Sequence, residues 1–93
     1  MAIKKVLFKS RFKRDYQALD PNLRAETDQA LKDLLRDPLP PGRRFHSLKG
    51  FKNPKLYTFD VTANKAYKIS LEIDGETAIL RRIATHREID RAA

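Results

Sequence analysis

An α+β fold is what the order of patterns along this 93-residue chain predicts. A short β-rich run opens the chain, and two stretches with helical spacing follow it. After Gly42 the apolar period falls from about 3.6 to about 2, the mark of strands. The expected architecture is an N-terminal strand, a two-helix hairpin, then a three- to four-stranded antiparallel sheet with both helices on one face.

Ile3 to Phe8 mixes β-branched, aromatic and leucine side chains and reads as the first strand. Ser10 is expected to cap a helix whose apolar positions are Phe12, Tyr16 and Leu19. Asp20-Pro21 joins a capping carboxylate to a proline at the first helical position, where a missing N–H costs nothing. Leu23, Thr27, Ala30, Leu31 and Leu34 then trace one helical face. Asp37-Pro38 should end that helix, because the proline ring crowds the preceding residue out of the helical region. Pro38-Leu39-Pro40-Pro41-Gly42 can only be a loop. Leu56 to Val61 alternates, with Tyr57, Phe59 and Val61 on one side, and Thr62 to Asn64 forms a turn. From Lys65 to Ile73, the side chains of Tyr67, Ile69, Leu71 and Ile73 point inward, and those of Lys68, Ser70 and Glu72 outward. Asp74-Gly75 is a hairpin signal, and Thr77 to Ala84 supplies the partner strand of a meander. By parity Arg82 shares the face of Lys68 and Arg81 lies opposite.

A single domain over residues 1–93 is expected, with a thin core. Its 41% hydrophobic and 34% charged residues suit an ordered globule rather than a disordered tail. No cysteine is present, which excludes a disulfide framework and thiolate metal sites. No apolar run reaches the roughly 18 residues of a membrane span, and MAIKKVLFKS lacks a signal-peptide core, so a cytoplasmic protein with no membrane partner is expected.

The strongest global signal is a net charge of +8 with a pI near 10.1, a field that concentrates polyanions around the chain. Between Gly42 and Ile69 the cations are Arg43, Arg44, Lys49, Lys52, Lys55, Lys65 and Lys68, against the single acid Asp60. One face should therefore be basic and meet nucleic acid or an acidic protein segment.

Two histidines, His46 and His86, are the default groups for acid–base chemistry near neutral pH. Neither has a second histidine or a cysteine at ligand spacing, so neither a metal nor any other cofactor is expected. The three scattered glycines form no phosphate-cradling loop, and no serine lies in a nucleophile elbow. RNA cleavage needs none of these, because the ribose 2′-hydroxyl is the nucleophile. The protein need only move protons and stabilise charge on phosphorus. Lys68, with Arg82 beside it, would stud an open sheet face suited to a phosphate backbone.

The sequence resembles the RelE/ParE superfamily of toxins from type II toxin–antitoxin systems, over nearly its full length. The matching residues are Phe8 to Tyr16, Leu35-Arg36-Asp37-Pro38, His46-Ser47-Leu48-Lys49-Gly50, Tyr67-Lys68-Ile69, and Ile83 to Ile89. The motifs are closest to the YafQ-, HigB- and RelE-like branch. The resemblance implies a RelE-like microbial RNase-type fold and a metal-independent, ribosome-dependent endoribonuclease that cleaves mRNA in the A site. It implies catalytic roles for His86, His46 and Lys68, with the two histidines sharing the proton transfers. Lys49 and Arg82 would stabilise phosphate, and Arg43, Arg44, Lys52 and Arg87 would join them along the RNA. Lys68 stands where many members carry arginine, and lysine lacks its bidentate fork. The implied partners are an acidic antitoxin and mRNA on the ribosome. A ParE-like inhibitor of DNA gyrase, without nuclease activity, is the alternative.

Overall fold

In a computed structural model, residues 3–36, 41–52, 55–62, 64 and 66–93 are described, the side chains of 41 and 49–52 excepted. The elements are β1 (Lys5–Phe8), α1 (Ser10–Gln17), α2 (Pro21–Leu34), a 3₁₀ turn (Pro41–Arg43), β2 (His46–Lys52), β3 (Lys55–Asp60), β4 (Tyr67–Asp74), β5 (Thr77–Thr85) and α3 (His86–Arg91). This is the expected α+β order with four strands after the hairpin. The proline-rich stretch 38–40 and the helix stop expected at Asp37-Pro38 lie outside the described residues. Helix α2 already ends at Leu34.

The sheet order is β1-β5-β4-β3-β2. Strands β2 to β5 form the expected meander, but β1 pairs in parallel with β5, Val6 opposite Ala78 and Phe8 opposite Leu80. The sheet is therefore mixed. Gly75 supplies the positive φ, 60°, that the tight Asp74-to-Thr77 hairpin requires at its first central position.

Local chemistry explains the helix starts. The Asp20 carboxylate accepts the Leu23 N–H at 2.8 Å, and Pro21 follows as the first helical residue. Ser10 does not cap α1. Lys9 stands at the cap without a side-chain bond, and Ser10 is already helical.

Both α1 and α2 lie on one face. Phe12, Ala30 and Leu34 pack with Phe59, Val61, Ile69, Leu71, Leu80 and Ile83, all nearly inaccessible. Burying each large side chain contributes about 1.5–3 kcal/mol, so this layer supplies most of the hydrophobic stabilisation.

Helix α3 was not expected. Thr85 is its N-cap and accepts the Glu88 N–H at 3.3 Å, while its hydroxyl donates to Glu88 Oε1 at 3.0 Å. Thr85-His86-Arg87-Glu88 has the spacing of a capping box, and that spacing was the sequence signal for this helix.

Candidate functional site

Residues directly opposite in a sheet share a face, so the register identifies the face turned away from α1 and α2. His46 lies opposite Thr58, Thr58 opposite Ser70, and Ser70 opposite Arg82, a polar row across four strands. A second row joins Asp60, Lys68 and Ala84. Lys68 and Arg82 thus share a face, as parity predicts, and the register places His46 on it too.

That face is not open. Helix α3 packs on β4 and β5, and its Ile89 is fully buried, apart from the helix-side cluster. Lys68 is only 5% exposed, and its Nζ lies 3.8 Å from Asp60 Oδ1. The expectation of a solvent-facing Lys68 on a bare cationic surface is corrected accordingly. An ammonium removed from water needs an opposite charge, and Asp60, the lone acid of the cationic stretch, provides it. Thr58 Oγ1, Ser70 Oγ and both Asp60 carboxylate oxygens are buried without a hydrogen-bond partner among the described residues.

Arg82 is likewise engaged. Its Nε donates to Asp15 Oδ2 at 3.3 Å and its Nη1 to the Ala92 carbonyl at 2.9 Å, while Nη2 is 3.7 Å from Glu88. It clasps α1, α3 and the C-terminal residues to the sheet. Asp15 Oδ2 also accepts the Ile83 N–H at 3.2 Å, beyond the point where β1 ends and the β5 edge is bare. The expectation that Arg82 is free to hold phosphate is corrected, because its donors are directed into the fold. Arg81 departs from the expected parity. The register shift between Ser70 and Leu71 makes it the extra residue of a β-bulge, and Leu80 and Ile83 both point into the core. Arg81 Nη1 meets Glu72 at 2.6 Å and holds that carboxyl below its ordinary range.

Arg43 is also structural. Nε and Nη2 both reach Asp33 Oδ2, at 3.0 and 2.8 Å, and Nη1 donates to the carbonyls of Asp60 and Val61. The guanidinium ties α2 to the end of β3 and depresses the Asp33 carboxyl. The expected RNA contact at Arg43 is corrected for the same reason as Arg82.

His46 opens β2 and is exposed. Its Nδ1 is 2.7 Å from the Arg44 carbonyl, which can only accept. In the neutral ring Nδ1 therefore carries the proton and Nε2 keeps a lone pair. Arg44 is exposed and holds a positive φ of 52° beside it. The backbones of Lys49 and Lys52 belong to β2, and their side chains lie outside the described residues.

His86 is the first residue of α3, half exposed, with Nε2 2.9 Å from Asp90 Oδ2 one helical turn on. It stands two residues past Ala84, the partner of Lys68, and Arg87 beside it is exposed. The two imidazoles are not brought together. Three strand spacings, about 14 Å, separate His46 from Arg82, and His86 lies further along β5. The expected sharing of one proton-transfer site by both histidines is corrected by that separation.

The fold so built, a β-strand, a helical hairpin and a four-stranded meander closing in parallel on the first strand, is that of the RelE and YafQ toxins. A RelB–RelE antitoxin–toxin complex from Methanococcus jannaschii contains a chain with TM-score 0.69 and 24% identity, covering 94% of this chain and 99% of that one. A chain of the RelBE2 toxin–antitoxin complex of Mycobacterium tuberculosis gives 0.69 and 24%, over 91% and 100%. A mutant of E. coli toxin RelE in the free state gives 0.70 at 16% identity, over 99% and 93%. No protein-family model and no curated protein matches the sequence.

Proposed function

We propose that this chain is the toxin of a type II toxin–antitoxin pair and that it cleaves mRNA on the ribosome. Its agreement over nearly the whole chain with chains of antitoxin–toxin complexes carries this reading. In the reaction the ribose 2′-hydroxyl attacks the adjacent phosphorus and the bond to the 5′ oxygen breaks. One proton leaves the nucleophile and one reaches the leaving oxygen. His86, exposed and oriented by Asp90, is the acid–base group at the scissile phosphate. Arg87 and Arg44, which face solvent, and Lys49 and Lys52 of β2 attract the backbone. His46, whose Nε2 has no partner among the described residues, serves a different phosphate along the same strand of RNA. Lys68 in its pair with Asp60 supports the fold beneath the site rather than gripping phosphate. The ribosome supplies positioning that so small a chain does not.

The partner is an acidic antitoxin with a segment that folds on binding. The test is growth on induction. His86→Ala should abolish growth inhibition while leaving the thermal melt unchanged, and undiminished toxicity of a folded His86→Ala protein contradicts the assignment. A second reading, gyrase inhibition without catalytic groups, is favoured by the separation of the imidazoles and the burial of Lys68. In that case toxicity survives His86→Ala, and DNA supercoiling assays respond to the protein.

A further inference from the structure

We propose that the cavity between the first turns of α2 and the β3–β4 turn is a nucleobase subsite that selects guanine beside the scissile phosphate. The inference rests on the nuclease reading for the source of the base, while binding itself is measured without cleavage.

The cavity encloses about 320 Å³ and is lined by Leu23, Glu26, Thr62, Asn64, Ala66 and Tyr67. Leu23 and Glu26 stand three residues apart, so one face of α2 presents both. On the other wall the Thr62 hydroxyl accepts the Ala66 and Tyr67 N–H groups at 3.1 and 3.3 Å, which holds the turn in shape. Tyr67 is half-buried, with its ring packed against the core. Together with Leu23 it supplies the apolar surface on which a flat base stacks.

Charge decides which part of an RNA enters. Although the chain carries +8, the described lining holds an acid and no cation. Glu26 takes part in no ion pair among the described residues. A phosphate is repelled there, whereas an uncharged base whose edge carries N–H groups is not. Hydrogen bonding then chooses among the bases. An ionised carboxylate can only accept. Asn64 Oδ1 is already engaged, by the Thr62 hydroxyl at 2.6 Å and the Ala66 N–H at 3.0 Å, so the Asn64 amide N–H groups are what it has to offer a ligand. Guanine has the matching edge, with adjacent N1–H and N2–H donors for the carboxylate and O6 for the amide. Adenine turns a lone pair at N1 toward the carboxylate, and cytosine and uracil each lack the adjacent pair of donors.

Position ties the cavity to His86. The His86 N–H donates to the Ala66 carbonyl at 2.9 Å, and Tyr67 lies opposite Thr85 in the sheet register. One strand spacing, about 5 Å, therefore separates the cavity wall from the His86 backbone. That is the scale on which a base stands from the phosphate of its own nucleotide.

The experiment titrates the full chain, isotopically labelled, with guanosine, inosine, adenosine, cytidine and uridine. These nucleosides are uncharged, so the basic surface does not gather them. The expected result is saturable shifts of the Leu23, Glu26, Ala66 and Tyr67 amides with guanosine. Inosine, which lacks only the 2-amino group, should bind roughly tenfold more weakly, the loss of one hydrogen bond to a charged group. Glu26→Gln, a change at an exposed side chain, should bring guanosine down to the level of inosine with an unchanged melt. Tyr67→Leu should weaken every nucleoside, and Tyr67→Phe, which keeps the ring, should weaken none. Failure of guanosine to saturate these amides, equal binding of guanosine and inosine, or intact discrimination in a folded Glu26→Gln protein overturns the proposal. Shifts centred on Phe8 and Phe12 overturn it as well. Neither messages nor ribosomes enter the assay. A chain that discriminates guanosine but cuts no message therefore refutes the nuclease reading alone, and one that cuts messages without this discrimination refutes only this inference.

Discussion

The two faces of this sheet are built on opposite principles. Toward α1 and α2 the layer is Phe59, Ile69, Leu71, Leu80 and Ile83 against Phe12, Ala30 and Leu34. Away from the helices, the same strands bury Thr58, Asp60, Lys68 and Ser70 on the face where the six-residue helix α3 packs on β4 and β5. The first face gains from every methylene removed from water. The second retains an ion pair and hydroxyls without a partner among the described residues, whose desolvation offsets much of what Leu56 and Ile89 contribute there. The proposed chemistry is assigned to the second face because polar groups are kept there at some expense to stability, and His46 and His86 stand at its margins.

Substitution separates the two principles. On the polar face, Lys68→Met leaves Asp60 buried and uncompensated and should cost about 3–5 kcal/mol in denaturant unfolding. Adding Asp60→Leu should restore stability to within about 1 kcal/mol of the wild type, since replacing both charges removes the penalty. On the apolar face, Phe59→Ala should cost a similar ~3–5 kcal/mol through a cavity, with no second charge change able to recover it. If Lys68→Met alone is neutral, the two faces do not differ as described.

Between the faces, Arg43 holds Asp33, and its replacement by methionine should cost about 2–3 kcal/mol, discounted for partial exposure of the pair. The pH dependence follows from the depressed carboxyls of Asp33 and Glu72. Their folded values lie below the unfolded ones, so their stabilisation is complete above the ordinary carboxylate range, about pH 4–5, and is lost as pH falls through the lower folded values. Arg43→Met should flatten that acid limb in melts recorded as a function of pH. The smallest expected effect has the opposite sign. Thr58→Val removes a buried hydroxyl that has no partner among the described residues, at nearly constant volume, and should raise stability by ~1 kcal/mol or leave it unchanged.

Much of this fold was legible from local rules. The Asp20-Pro21 helix start, the Asp74-Gly75 hairpin and the alternation from Tyr67 to Ile73 depend on neighbours in sequence, and each stands where expected. Parity also identified the shared face of Lys68 and Arg82, which the register extends to His46. Parity does not reveal what covers a face. Helix α3, signalled by the Thr85–Glu88 spacing, packs on β4 and β5 on the face where Lys68 and Asp60 form their buried pair. A bulge shifts parity without a mark in the sequence, which is how Arg81 came to sit beside Glu72. The free cations of the expectation, Arg43 and Arg82, found acids ten and 67 positions away in the chain, Asp33 and Asp15. Such pairings are tertiary and leave no local signal.

The central claim is that the margin of the polar face, at His86, cuts mRNA held by the ribosome. Mapping mRNA 5′ ends after brief induction of the wild type and of His86→Ala tests it most directly. The account predicts new ends at codon positions in the ribosomal A site for the wild type and none for the variant. Intact messages with a DNA-damage response, or identical ends from both proteins, would contradict it.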